Sequence, residues 1–369
     1  MIHPDSLPSL VYCDDSGNIH DFPDLAMAGM VHGRYLKPEL EDLIELPPGS
    51  EVFTLPQRLP VGIDRSTGEP LLLTEDPRFP GRSIAGAAAF MAPAHTSTLT
   101  AAYQTQEGAT LLPLFAYTAV GWHDGKFWAA GFRSDDDCRQ DFTRFDQPTI
   151  DRRTAKTLEQ HRDNRLIQHL GTCCLTYSCP AARNYFLERW EAPLPTSPGC
   201  NARCLGCISL QPSECCPSTQ ERLRFTPSVK EIVEIGAAHL EKAEQPVVSF
   251  GQGCEGEPLL QADLLESSIR EMRRHTDRGT INCNTNASLP EDVARLRKAG
   301  LDSIRVSLNS TREKFYHNYY RPRDYGFADV IDSISVMKKA GGFVSLNYFI
   351  LPGFSDTKQE IDSFMQLID

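Results

Sequence analysis

Positive charge is scarce in this chain. Its 37 Lys and Arg stand against 49 Asp and Glu, a net charge of −12 over 369 residues. No basic face announces a nucleic-acid backbone or an anionic membrane, so neither is an expected partner. Long apolar runs are missing too. The longest, around Ile84 to Pro93, falls short of the roughly 20 residues that span a bilayer. The start, Met1-Ile2-His3-Pro4-Asp5, lacks the charged and apolar regions of a secretion leader. The expected location is the cytoplasm, where thiols stay reduced. Hydrophobic content of 40% and charge of 23% are ordinary for a chain with a real core, and the length suits two domains or one large one.

Cysteine, by contrast, is abundant. Ten of the twelve lie between Cys173 and Cys283, and only Cys13 and Cys138 lie outside. Without a secretion leader, such clustering favours metal ligation or catalysis over disulfides. Cys13 and Cys138 read as small buried apolar residues. The tightest group is Gly199-Cys200-Asn201-Ala202-Arg203-Cys204-Leu205-Gly206-Cys207, a C-x3-C-x2-C spacing. Three thiolates on one loop can hold three corners of a cubane iron–sulfur cluster, which ordinarily takes four cysteines. The iron left over is an open position, the mark of a catalytic rather than a structural site. The competing reading is a closed zinc site, with a fourth ligand from Cys215, Cys216 or a histidine.

Residues 1–150 read as a β-rich accessory domain. Turn signals recur at Pro48-Gly49, Pro80-Gly81 and Asp124-Gly125, the last within a hairpin from Val120 to Trp128. Neither an internal repeat nor a catalytic motif is found there. Residues 151–190 form a helical connector that carries thiols, with helices over Arg152–Leu170 and Ala181–Trp190. From 191 to 369 strands and helices alternate. Strands are predicted at Ala192–Ser197, Val247–Gly251, Thr280–Asn286, Ser303–Asn309 and Phe343–Leu351. Helices are predicted at Ser228–Glu244, Gln261–Thr276, Glu291–Lys298, Phe327–Lys339 and Lys358–Ile368. Repeated β-α units imply a parallel sheet with right-handed crossovers.

The strand faces add a clue. Ser303, Arg305, Ser307 and Asn309 share one face of their strand; Thr280, Asn282, Asn284 and Asn286 share one face of theirs. Ser345 and Asn347 alternate with apolar neighbours in the last strand. An open sheet covered by helices on both sides wants two apolar faces. A polar inner face fits a barrel that encloses a polar ligand near the C-terminal strand ends. The three-cysteine loop follows the first strand at that end.

This combination resembles the radical S-adenosylmethionine (SAM) superfamily over about residues 191–369. The resemblance rests on the cysteine loop, on Gly256-Glu257-Pro258 after the second strand, and on the order of elements. It implies an α/β fold, a partial (β/α) barrel of which about five β-α units are present. It implies that Cys200, Cys204 and Cys207 hold a [4Fe-4S] cluster whose open iron is chelated by SAM. An electron then cleaves SAM to methionine and a 5′-deoxyadenosyl radical, which abstracts hydrogen from a substrate. The electron donor expected is a flavodoxin or ferredoxin; the substrate is a peptide, a protein or a small metabolite. Gly256, Glu257 and Pro258 correspond to the region that meets the methionyl end. Asn286 and Ser307 stand where family members contact the ribose and the carboxylate; Asn309 and Asn347 are candidates of the same kind. Leu351-Pro352-Gly353-Phe354-Ser355-Asp356 resembles the adenine-contacting turn. The family often has an aromatic residue before the third cysteine; here it is Gly206, so that packing is either lost or replaced, with Ile208 as the candidate. The family core has six units, so a chain ending at Asp369 within the fifth helix reads as truncated.

Each residue also has a plainer reading. Glu257 alone is a solvated carboxylate, and Asn286, Ser307 and Asn347 are hydrogen-bonded polar core residues. Cys173, Cys174, Cys179, Cys215, Cys216, Cys254 and Cys283 either ligate an auxiliary iron–sulfur cluster or are reduced core cysteines. Phe315 to Arg323, rich in aromatics, holds arginines for a carboxylate or is a packed helix with solvated arginines. For the whole chain, the alternative to a radical SAM enzyme is a non-catalytic iron–sulfur electron carrier or sensor.

Overall fold

A computed structural model describes residues 7–211 and 216–368. The chain divides into two compact units, Met1–Phe145 and Asp146–Asp369. Among the described residues no helix is long and apolar enough to cross a membrane.

The first unit is built of short strands, and its largest sheet holds eleven. Ser9–Cys13 pairs antiparallel with both Ile19–Met27 and Val120–His123. The hairpin turns at Asp124 and Gly125, with φ of 49° and 76°. Both angles are left-handed, as a two-residue turn between twisted strands requires. Met27, Val61, Ile63, Ala119 and Ala130 are buried together in one core cluster. Cys13 is buried as expected, but Cys138 is exposed. It opens a short 3-10 turn, Cys138–Gln140, beyond the last strand of the unit, where no apolar layer covers it.

The second unit begins with three helices: α1 (Gln147–Gln160), α2 (Arg165–Leu175) and α3 (Pro180–Phe186). The single helix expected over 152–170 is broken. Asn164 Oδ1 accepts from the Leu166 and Ile167 N–H groups, both at 3.0 Å, and caps a new helix. The helix expected to reach Trp190 stops at Phe186, because the next residues join the sheet.

That sheet has five parallel strands in sequential order: β1 (Arg189–Pro193), β2 (Glu244–Phe250), β3 (Thr280–Thr285), β4 (Ser303–Leu308) and β5 (Phe343–Tyr348). Between and after them run α4 (Val229–Lys242), α5 (Ala262–His275), α6 (Pro290–Ala299), α7 (Glu313–Tyr320), α8 (Phe327–Lys339) and α9 (Lys358–Ile368). Helix α4 starts on a capping box, with Ser228 and Glu231 bonding reciprocally. Helix α4 packs on α5, α5 on α6, and α6 on α8. Parallel strands in unbroken order, joined by crossovers of one hand, keep these helices on one face. Under them lie Val248, Phe250, Ile281, Cys283, Ile304, Val306 and Leu308, all fully buried. Each large side chain among them contributes about 1.5–3 kcal/mol.

The other face is polar. Ser249, Asn282 and Ser303 are neighbours in register, linked by Asn282 Nδ2 to Ser249 Oγ (3.3 Å) and Ser303 Oγ to Asn282 Oδ1 (2.7 Å). Beyond them stand Asn284, Arg305 and Ser345, then Ser307 opposite Asn347.

Candidate functional site

The first strand ends earlier than the expected Ser197. A carboxylate takes over from the ladder there. Glu255 Oε2 accepts from the N–H groups of Thr196 (2.7 Å) and Ser197 (2.8 Å). Its Oε1 accepts from those of Gly251 (2.7 Å) and Gln252 (2.8 Å). Glu255 therefore joins the ends of β1 and β2. Burial raises its pKa, and the four N–H groups oppose that rise. No sequence signal marks this residue, because its four partners meet only in the fold.

The next residues lie against the cysteine loop. The Gly256 N–H donates to Ser197 O (2.6 Å) and the Glu257 N–H to Gly199 O (2.9 Å). A Cβ at Gly256 would overlap the Gly199 carbonyl, so only glycine fits. Pro258 opens a short 3-10 turn that Glu257 caps. The Glu257 carboxylate is buried and faces β3. It accepts from Thr285 Oγ1, from the Asn286 N–H (2.8 Å) and from the Leu259 N–H (3.0 Å). Burial pushes its pKa up to about 7 against these bonds. It is thus a buried brace between β2 and β3 rather than a solvated carboxylate.

Two further elements hold the loop. Asn286 Nδ2 donates to Asn201 Oδ1 (2.7 Å), and Asn201 Nδ2 donates to Ser288 Oγ (2.9 Å). The C-terminal carbonyls of α7 would otherwise lack partners. Tyr320 O accepts from the Arg203 N–H (2.9 Å), and Tyr319 O from the Leu205 N–H (3.0 Å). Gly206 is explained by the same helix: a Cβ there would overlap the Tyr319 hydroxyl. The aromatic ring beside the third cysteine comes from Tyr319, which stacks on Phe349 at 5.4 Å, and not from Ile208, which is exposed.

Cys200, Cys204 and Cys207 are half-buried. Burial raises Cys200 and pushes Cys204 up to about 12, with the neighbouring thiols adding to the rise. Arg222 Nη2 donates to Cys207 Sγ at 3.2 Å. Their sulfurs do not converge within 4.8 Å, as ligands of one ion would. Among the described residues only His169, Cys173 and Cys254 do so. A cubane, with each cysteine on its own iron, suits such a spread set better than a single zinc ion does.

The remaining candidates sit on the polar sheet face. Ser307 is half-buried and Asn347 exposed. Asn309 is buried; its Nδ2 donates to Phe315 O (3.2 Å), but its Oδ1 has no partner. Such an orphan acceptor calls for a ligand donor or a water. The turn at Leu351 closes on itself through the Phe354 and Ser355 N–H groups, and Phe354 packs on Phe315. Arg321 and Arg323 are exposed, so the packed-helix reading of that segment is the better one.

The extra cysteines separate. Cys283 is a core residue of the helix-covered face, and Cys174 is fully buried with its sulfur 3.5 Å from Thr154 Oγ1. Cys215 lies outside the described residues. Cys173 and Cys254 come together with His169, which the sequence did not single out.

A thiol-bearing loop at the end of the first strand of a parallel α/β sheet, braced by a glycine-containing second loop, defines an iron–sulfur protein of α/β class. The sequence model of the radical SAM superfamily matches residues 194–368, and this part of the chain belongs to that superfamily. The family uses a [4Fe-4S] cluster and SAM. The chain is 31% identical over 162 residues to a GTP 3′,8-cyclase of Paenarthrobacter nicotinovorans, covering 43% of this chain and 42% of that one. It is 34% identical over 115 residues to a GTP 3′,8-cyclase of Clostridium botulinum, covering 30% and 34%. The chain thus spans less than half the length of these curated relatives. A solved radical SAM methyltransferase from Sphaerobacter thermophilus overlaps 48% of this chain and 52% of its own, at 16% identity and a TM-score of 0.37, too slight to argue from.

Proposed function

We propose that this chain is a radical SAM enzyme whose cluster is held by Cys200, Cys204 and Cys207. The observation that carries the reading is the arrangement of those thiols. They are half-buried, do not converge as ligands of one ion would, and sit on a loop clamped by main-chain bonds from the loop after β2 and from α7 and by the Asn286 side chain that follows β3. When bound, the reduced [4Fe-4S] cluster supplies the electron that cleaves SAM into methionine and a 5′-deoxyadenosyl radical, which takes hydrogen from the substrate.

The chain's own residues prepare that event. Gly256, Glu257 and Pro258 form a ledge against the cysteine loop, and Asn286 ties it to Asn201. We infer that the five sequential strands curve into a partial barrel with the polar face inward. Ser307 and Asn347, paired across β4 and β5, then line the cavity, and Asn309 Oδ1 accepts from a bound polar ligand. Tyr319 fills the space beside Gly206. A flavodoxin or ferredoxin fits as electron donor. The substrate is a small metabolite or a peptide. GTP, for which the curated relatives are named, is the first to assay. An electron carrier or sensor would need neither the ledge nor the polar face.

Anaerobically reconstituted protein, given dithionite and SAM, is expected to release 5′-deoxyadenosine and methionine, and Cys204→Ala to release neither. Intact SAM beside a normal reduced-cluster signal would overturn the reading.

A further inference from the structure

We propose that His169, Cys173 and Cys254 bind a single zinc ion at a second site, apart from the cysteine loop. His169 and Cys173 are four residues apart on α2, so they share one face of the helix. Cys254 lies on the loop after β2, directly before Glu255. The two thiols are buried, at 3% and 6% exposure.

The ligand atoms of all three lie within 4.8 Å of one another, and His169 Nε2 is 3.6 Å from Cys173 Sγ. A tetrahedral ion with Zn–S near 2.3 Å and Zn–N near 2.0–2.1 Å sets sulfur and nitrogen about 3.6 Å apart. The same geometry sets two sulfurs about 3.8 Å apart. The observed separation therefore suits ligands of one ion. An auxiliary iron–sulfur cluster would hold its cysteines on separate irons and farther apart. Two thiolates with an imidazole also match the donor preference of zinc.

Cys179 stands at the start of α3, and its N–H donates to Cys173 O at 3.1 Å, but its sulfur is not among the converging atoms, so the fourth position falls to a water. An ion here fastens α2 to the loop that carries Glu255, Gly256 and Glu257. It steadies the ledge without taking part in the chemistry.

The test uses full-length protein with Cys200, Cys204 and Cys207 all replaced by Ala, so its outcome does not depend on the enzyme reading. After zinc loading and dialysis it is expected to retain about one zinc per chain, with sulfur and nitrogen neighbours in zinc-edge X-ray absorption. Adding His169→Ala and Cys173→Ser should lower zinc affinity at least about 100-fold, whereas adding Cys174→Ser should leave it unchanged. Circular dichroism checks that each variant folds. Wild-type protein, with zinc and iron counted separately, serves if the triple variant does not fold. Zinc well below stoichiometry, zinc without sulfur neighbours, zinc indifferent to the double replacement, or iron with labile sulfide in its place would each overturn the proposal.

Discussion

Two groups of thiols in the second unit differ in what carries them. Cys200, Cys204 and Cys207 ride on a loop held by bonds to three other elements, and their sulfurs do not converge on one point. Cys173 rides on a helix with His169 one turn away, Cys254 approaches from a facing loop, and their ligand atoms aim at a point. A spread set suits a polynuclear cluster with an accessible iron; a converging buried set suits one closed ion. Cysteine spacing alone does not separate these cases, but backbone support does.

Glu255 serves both groups, since its carboxylate joins β1 to β2 and its neighbour is Cys254. Glu255→Gln keeps one acceptor oxygen and leaves about two buried N–H groups unpaired, a loss of about 4 kcal/mol. Urea unfolding should show that loss, and both metals should bind more weakly. An effect on only one site would break the link drawn between them.

Gly256→Ala should discriminate. The new Cβ meets the Gly199 carbonyl, and relieving that clash costs about 3 kcal/mol. Reconstituted iron should fall at least about tenfold while zinc at His169 persists. Equal loss of both would mean that the two sites are not separate.

Glu257 gives the ledge a pH dependence. Its buried carboxyl holds a proton up to a pKa of about 7, against an ordinary 4.5. The folded state therefore binds the extra proton between those values. Its contribution is full below pH 4.5 and is lost as pH rises through 7, by about 3 kcal/mol. Glu257→Gln should flatten that slope in urea midpoints taken from pH 5 to pH 8. An unchanged slope would show that the three hydrogen bonds keep Glu257 ionised throughout.

Asn309→Ala carries the smallest effect. Only the Nδ2 bond to Phe315 O is lost from the fold, about 1 kcal/mol. SAM or substrate affinity should drop roughly 5- to 10-fold if Oδ1 meets the ligand. Unchanged affinity by equilibrium dialysis would remove Asn309 from the cavity.

Local patterns were legible. The parallel strands, the limits of α8 and α9, the Asp124-Gly125 hairpin and the cysteine loop follow from periodicity, turn residues and spacing. Convergence was not. Glu255 looks like any acidic loop residue until four N–H groups from two strands meet it. His169 is an ordinary helix residue until a thiol 85 positions later approaches. The end of β1 escapes periodicity because a side chain, not a strand, satisfies Thr196 and Ser197. Gly206 leaves no ring beside the third cysteine in the sequence, because the chain returns 113 residues later to supply one from Tyr319.

The open iron is the central claim, and electron paramagnetic resonance of the reduced protein tests it most directly. With wild-type protein, adding SAM is expected to shift the reduced [4Fe-4S] signal, and Cys204→Ala should show no such signal. A reduced-cluster signal that is identical with and without SAM would contradict the account.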